Sequence, residues 1–290
     1  MIQGQIIKAL SGFYYVQSEN QRITCKARGN FRIHDIKPVV GDYVLFTKQG
    51  KEGYIQEILP RKNILIRPPI SNIDQALLIF SCREPDFSSL LLDKFLLVIE
   101  SLQIEPIICL SKMDLESKQS MFPYIQSYQQ AGYTVLPVSA QDAIGLEDVK
   151  ELFQDRVTVI TGQSGVGKSS LLNAIDASLQ ITTQGISKAL GRGKHTTRHV
   201  ELLPLFGGYV ADTPGFSSLT LTMEPEQAAI AYRDFKKASQ DCKFRGCLHL
   251  KEPHCAVKEA VHNGQISKER YEHYVGFMEV IKKRKEQEYG

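Results

Sequence analysis

Apolar and polar positions change rhythm twice along this chain. Over Gly4–Val16 and Arg22–Arg28 they alternate with a period near two, and Asp42–Thr47 and Tyr54–Leu59 are short runs rich in β-formers. Gly12, Gly29, Gly41, Gly50 and Gly53 punctuate these runs. Short strands at this spacing predict a small closed barrel of the OB-fold type. Arg67-Pro68-Pro69 reads as a linker. Beyond it, strands are predicted at Asn72–Ser81, Pro106–Leu110, Thr134–Val138, Asp155–Thr161 and Gly207–Ala211. Helical spacing appears over Ser89–Leu102 and Phe122–Ala131, and again from Ser169 to Ile175. Strands and helices in alternation predict an α/β domain. From Glu224 the charge density rises, and Pro225–Lys237 and Lys268–Lys285 carry helical patterns. The expected architecture is multidomain: an all-β barrel over 1–68, an α/β domain over 69–222, and a mostly helical segment over 223–290.

Composition adds three constraints. The chain has 290 residues, 42% of them apolar, enough for a sizeable core in two or three domains. No apolar run reaches the ~18 residues of a membrane span, and Met1–Gln5 lacks the basic start of a signal peptide, so a cytoplasmic protein without a membrane partner is expected. Net charge is only +3, but it is unevenly spread. Residues 1–68 hold 11 Lys/Arg against 5 Asp/Glu, residues 69–223 hold 11 against 16, and residues 224–290 hold 13 against 11. Basic flanks suit a polyanionic partner; lysines kept for solubility are the alternative. In the barrel, Phe13, Tyr15, Phe31, Tyr43 and Phe46 beside Lys26, Arg28 and Arg32 would suit nucleic acid, unless the rings simply fill the core.

The chemistry begins at Gly162-Gln163-Ser164-Gly165-Val166-Gly167-Lys168-Ser169-Ser170. This stretch follows a predicted strand and opens a predicted helix, the context a phosphate-binding loop requires. Glycines let the backbone wrap a phosphate, and amides at the helix start point at its charge. Lys168 is expected on the β- and γ-phosphates and the Ser169 hydroxyl on Mg²⁺. Asp212-Thr213-Pro214-Gly215 follows another strand, where Asp212 suits the metal shell and the Gly215 amide the γ-phosphate. Ser111-Lys112-Met113-Asp114 ends a buried strand roughly fifty positions before the loop. One carboxylate accepts from both N1–H and N2–H₂ of guanine, which adenine does not offer. Lys112 would pack along the base, and Ser139-Ala140 matches the loop whose amide meets guanine O6. Ser111 stands where Asn or Thr is usual. The base reader thus precedes the phosphate loop, the order of a circularly permuted GTPase.

Gly191–His199 lies between the phosphate loop and Asp212, where a switch segment belongs. Thr196 or Thr197 is expected on Mg²⁺. Phe216 occupies the place of the glutamine that orients water in Ras-like enzymes, so His195 is the catalytic candidate. Near the C-terminus, Cys242, Cys247, His249 and Cys255 supply three thiols and an imidazole within fourteen residues. Four such ligands suit a structural tetrahedral Zn²⁺; His254, beside Cys255, is read as a bystander. An ATP-using phosphate-loop enzyme and a non-catalytic RNA-binding adaptor are the competing classes.

In its motif order, its Gly191–Thr197 segment and its cysteine spacing, the whole chain resembles the RsgA family (also called YloQ or YjeQ). That resemblance implies an OB-fold domain that binds 16S rRNA and a slow GTPase stimulated by the 30S subunit. It also implies a role in late maturation of that subunit, departure after hydrolysis to GDP, and a zinc domain. A residue like Phe216 after the Asp-x-x-Gly motif is a family trait, and the histidine here numbered 195 is the catalytic candidate there too. A monomer is expected.

Overall fold

The computed structural model describes residues 1–19, 21–27, 37–66, 68–116, 118–181, 201–211 and 220–289. Its described residues fall into two compact units. One draws on Met1–Ala76, Glu147–Thr161 and Leu172–Phe216, the other on Leu77–Leu146, Gly162–Leu171 and Ser217–Gly290.

The first unit opens with β1 (Ile2–Leu10), β2 (Phe13–Ser18), β3 (Gln21–Ala27), β4 (Tyr43–Gln49) and β5 (Glu52–Ile58). Ser11 and Gly12 both take positive φ, the two-residue turn that matches strand twist and closes a tight hairpin. The strands close into a barrel in the order β1-β2-β3-β5-β4, with β3 and β5 parallel and the other pairs antiparallel. This is the OB-type barrel expected from the alternation. Ile6, Val16, Cys25, Val44, Phe46 and Ile55 are fully buried inside it. Of the five barrel aromatics, Phe46 is core, Phe13 and Tyr43 face solvent, Tyr15 is half-buried, and Phe31 lies outside the described residues. Arg28 and Arg32 also lie outside them. Lys26 is paired with Glu52 at 2.9 Å and sits 5.4 Å from the Phe13 ring centre.

The expected linker is structured where it is described. β6 (Ile64–Ile66) and β7 (Pro69–Ser71) form an antiparallel hairpin. Buried Asp42 explains why: its carboxylate accepts from Arg61 Nε at 2.7 Å, the Ser71 hydroxyl at 2.6 Å and the Val39 amide at 2.8 Å. β11 (Val157–Thr161), β12 (Leu202–Leu205) and β13 (Gly208–Ala211) complete this unit, with β11 parallel and β12 antiparallel to β13. Asp74 exchanges two hydrogen bonds with the Val157 backbone, pinning the start of β11.

The second unit carries β8 (Gln75–Ser81) from Leu77 onward, β9 (Glu105–Ser111) and β10 (Thr134–Pro137), in the order β10-β9-β8. β8 is buried along its whole length, as a strand covered on both faces must be. The helices of this unit are α1 (Ser89–Ser101) and α2 (Lys118–Gln130); α3 (Leu146–Glu151) falls almost wholly in the first unit, and α4 (Lys168–Ile175) starts in the second and ends in the first. Ser88 caps α1, its hydroxyl accepting the Leu91 amide at 3.3 Å. The C-terminal part contributes α5 (Pro225–Ala229), α6 (Arg233–Ala238), α7 (Ala256–His262) and α8 (Lys268–Tyr289).

One buried charge network ties this last part to α1. Asp93, on the apolar face of α1, accepts from Tyr128 at 3.0 Å, from Arg270 Nε at 3.4 Å and from His273 Nδ1 at 2.6 Å. Arg270, also buried, donates to Asp234 at 2.7 Å. Arg233 donates to Glu100 at 2.7 Å, Glu105 at 2.6 Å and the Gly132 carbonyl at 2.8 Å. Removing one partner of a buried pair strands the other, so Asp93→Asn should cost about 3–5 kcal/mol in urea unfolding. His273 is held above the ordinary histidine range by its bond to Asp93. A raised folded pKa stabilises fully below the unfolded value of about 6.5 and is lost as pH rises through the folded one. The stability gap between the natural chain and His273→Gln should therefore shrink as pH is raised from 6 to 8; a gap that widened would refute the pairing.

Candidate nucleotide site and metal cluster

β11 runs directly into Gly162. Its φ is 149°, and a β-carbon there would lie 2.2 Å from the Ile79 carbonyl oxygen, so only glycine fits. Gly165 and Gly167 also take positive φ, and buried Val166 anchors the loop between them. Lys168 begins α4 and folds back on the loop, donating to the carbonyls of Gly162 at 2.9 Å and Gln163 at 2.6 Å. Partial burial lowers its pKa, because the ammonium loses hydration there. Ser164 and Ser170 are exposed and Ser169 is half-buried.

Ser111 closes β9 and is buried. Its hydroxyl lies 2.6 Å from the Val166 carbonyl, which accepts its proton, and 3.2 Å from the Phe80 carbonyl. Lys112 takes a left-handed backbone, and its ammonium donates to the Glu84 carbonyl. Met113 opens a short 3₁₀ turn to Leu115, its amide donating to Val138 at 3.1 Å and its sulfur 3.1 Å from Cys82 Sγ. The buried Ser139 hydroxyl donates to Asp114 Oδ1 at 2.7 Å and accepts the Asp142 amide at 3.0 Å. Ser111, Lys112, Asp114, Ala140, Gly167 and Ser170 all line one cavity of about 420 Å³. The two motifs, separated along the chain, thus face the same space.

His195, Thr196, Thr197, Asp212, Gly215 and Phe216 lie outside the described residues. The sequence reading missed other cavity residues. Leu115, Gln141 and Leu171 line it beside the motifs, so adjacency alone would have found them. Glu84, whose carbonyl takes the Lys112 ammonium, carries no signal in the sequence.

The ligand atoms of Cys242, Cys247, His249 and Cys255 lie within 4.8 Å of one another. Cys242 Sγ is 3.7 Å from His249 Nδ1 and 3.9 Å from Cys255 Sγ, and His249 Nδ1 is 3.3 Å from Cys255 Sγ. With metal–sulfur bonds of about 2.3 Å, a tetrahedron has edges of about 3.8 Å, so this donor set fits a closed four-ligand site. His249 Nε2 faces the Ala229 carbonyl at 3.1 Å; it donates there, leaving Nδ1 bare towards the thiols. The Tyr271 and Tyr274 hydroxyls donate to the carbonyls of His249 and Leu248 at 2.7 and 2.8 Å. The Glu252 carboxylate accepts the Leu248 and Leu250 amides at 2.9 and 2.8 Å. His254 is exposed and outside the cluster.

A glycine-built phosphate loop and an upstream Ser-Lys-Met-Asp turn around one cavity define a phosphate-loop GTPase in permuted order. The comparisons carry this to a family. Residues 58–222 match the RsgA GTPase family and residues 3–55 the RsgA N-terminal domain. The small ribosomal subunit biogenesis GTPase RsgA of Bacillus velezensis is 55% identical, over 98% of this chain and 99% of its own. That of Bacillus subtilis is 54% identical over the same shares. The crystal structure of YloQ, described as a circularly permuted GTPase, superposes with a TM-score of 0.82 at 48% identity, covering 98% of this chain and 96% of that one. YjeQ from Thermotoga maritima does so with 0.82 at 36%, covering 97% and 98%. The chain belongs to the RsgA family and is a GTP hydrolase.

Gly162→Ala would combine positive-φ strain with a clash on Ile79. Gly264, also at positive φ, has nothing within 4 Å of an added β-carbon, so Gly264→Ala measures strain alone. Gly162→Ala should unfold at a clearly lower temperature than Gly264→Ala, the excess exceeding about 1 kcal/mol. Equal melting would mean that the loop does not press against β8.

Proposed function

We propose that this chain hydrolyses GTP to GDP and phosphate on the 30S subunit during its late maturation, contacts 16S rRNA, and leaves after hydrolysis. The names of its relatives support the ribosomal part. The observation that carries the nucleotide part is the shared cavity: Asp114 and the phosphate loop open onto the same space. On this reading, the domains run 1–68, 69–222 and 223–290, and the protein acts as a cytoplasmic monomer. Among the described residues no helix is long and apolar enough to cross a membrane.

Asp114 reads guanine, accepting from N1–H and N2–H₂ while the Ser139 hydroxyl fixes its orientation. The Ala140 amide meets O6, and the Lys112 stem lies along the base. The amides of Gly162–Ser170 cradle the phosphates. Lys168 leaves the Gly162 and Gln163 carbonyls for the β- and γ-phosphates. Ser169, Asp212 and one of Thr196 or Thr197 would hold Mg²⁺, which would supply positive charge to the phosphates. Gly215 contacts the γ-phosphate. His195 orients the attacking water, which Phe216 lacks the polar atoms to do. Three thiols and a bare imidazole nitrogen with no open position favour structural Zn²⁺ at Cys242, Cys247, His249 and Cys255.

Purified small subunits should raise GTP turnover well above the rate of the chain alone, with ATP inert in both conditions; an unchanged rate would count against the ribosomal reading. Lys168→Ala should abolish turnover. Asp114→Asn should shift preference towards xanthine nucleotides, and retained guanine preference would remove Asp114 from the site. Elemental analysis should find one zinc per chain, lost in Cys255→Ser together with helical signal from the C-terminal segment.

A further inference from the structure

Between the first two cluster cysteines the chain makes a four-residue tip, Lys243-Phe244-Arg245-Gly246, in which every residue is exposed. Its base is fixed at Cys242 and Cys247, and Gly246 turns it through a positive φ. Phe244 is 44% exposed, on a scaffold where the neighbouring aromatics Tyr232, Phe235 and Tyr274 are buried. Among the described residues, such a ring stands out because much of it is left open to solvent. The Lys243 ammonium lies 5.8 Å from the ring centre. Phe244 and Arg245 also border a cleft of about 190 Å³ shared with half-exposed Ile230 and with Glu226.

Basic side chains outnumber acidic ones around the tip, even with exposed Glu226 on the cleft wall. From Lys236 to Lys251 the exposed ionisable side chains include Lys236, Lys237, Lys243, Arg245 and Lys251, against Asp241 alone. We propose that Phe244 is a stacking platform for one unpaired RNA base, with Lys243 and Arg245 taking the phosphates on either side. This rests on the small-subunit reading above and names the residue chemistry of one contact. An aromatic face between two cations matches a nucleotide, whose base is flat and whose backbone is anionic. Glu226, on the cleft wall, offers an acceptor to an exocyclic amino group. An acidic peptide would use the cations but leave the ring face idle, and duplex RNA keeps its bases stacked on each other.

The test compares the affinity of the zinc-loaded full chain and its variants for purified small subunits, with zinc content as the check on folding. Phe244→Ala should weaken binding about 5- to 150-fold, the range for loss of one stacked base. Phe244→Leu should fall with it, since leucine restores bulk but no π-face, and Phe244→Trp should stay within about twofold of the natural chain. GTP turnover without subunits should be unchanged in all three. With Phe244→p-benzoylphenylalanine, irradiation on the subunit should give an adduct removed by ribonuclease. If Phe244→Ala binds like the natural chain while subunits still stimulate turnover, this proposal falls and the GTPase reading stands. An adduct removed by protease instead would assign the tip to a protein and overturn it. If subunits neither bind nor stimulate the natural chain, the ribosomal reading itself fails.

Discussion

The Ser111 hydroxyl, buried at the end of β9, lies 2.6 Å from the carbonyl of Val166. Those residues stand 55 positions apart, and the bond joins the turn that carries Asp114 to the loop that carries Lys168. A serine reaches only one bond beyond its β-carbon, so the strand end and the loop must lie close together. Gly162 lets them do so, since any side chain there would meet β8 at Ile79. The permuted order follows without penalty from this contact. Hydrogen bonding and burial do not depend on which partner comes first, and loop closure grows only logarithmically with separation. What the order changes is the neighbour: the Asp212 motif is followed at once by the C-terminal helices instead of by the strand that ends at Ser81.

Much of this was legible in the residues, for a stated reason in each case. Barrel strands showed in their period and glycines, and the phosphate loop in a spacing that few backbones other than a phosphate cradle require. The metal cluster showed because three thiols and an imidazole, all soft or borderline ligands, lie within fourteen residues. Alternation did not say which barrel aromatics face inward. Phe46 does and Tyr43, three residues earlier on the same strand, does not, because odd spacing puts them on opposite faces. Arg67-Pro68-Pro69 resembled a linker because prolines punctuate; the partners of Ser71 on β7 are Asp42 and the Val40 carbonyl, far back in sequence, and Arg61 holds that aspartate. Asp93 was invisible. An isolated acid in a helix reads as a surface position, and its partner Arg270 comes 177 residues later.

That hidden aspartate decides how the C-terminal part behaves mechanically. Asp93 and Arg270 are both almost wholly buried, and each satisfies the other with help from Tyr128, Asp234 and His273. Sliding α8 along α1 by even one hydrogen-bond length would leave two charges desolvated and unpaired, at a cost of several kcal/mol. The Arg233 fork, gripping Glu100, Glu105 and the Gly132 carbonyl at once, resists rotation about the same contact. The metal cluster belongs to this body too, since His249 donates to Ala229 at the end of α5, and Tyr274 of α8 donates to Leu248. Helix α1 and the described residues from α5 to α8 therefore move together. β8 and α1, both packed with buried residues, lead from the nucleotide cavity to this body. The tip at Phe244 is then carried by the same rigid element that lies directly after the strand beneath the phosphate loop.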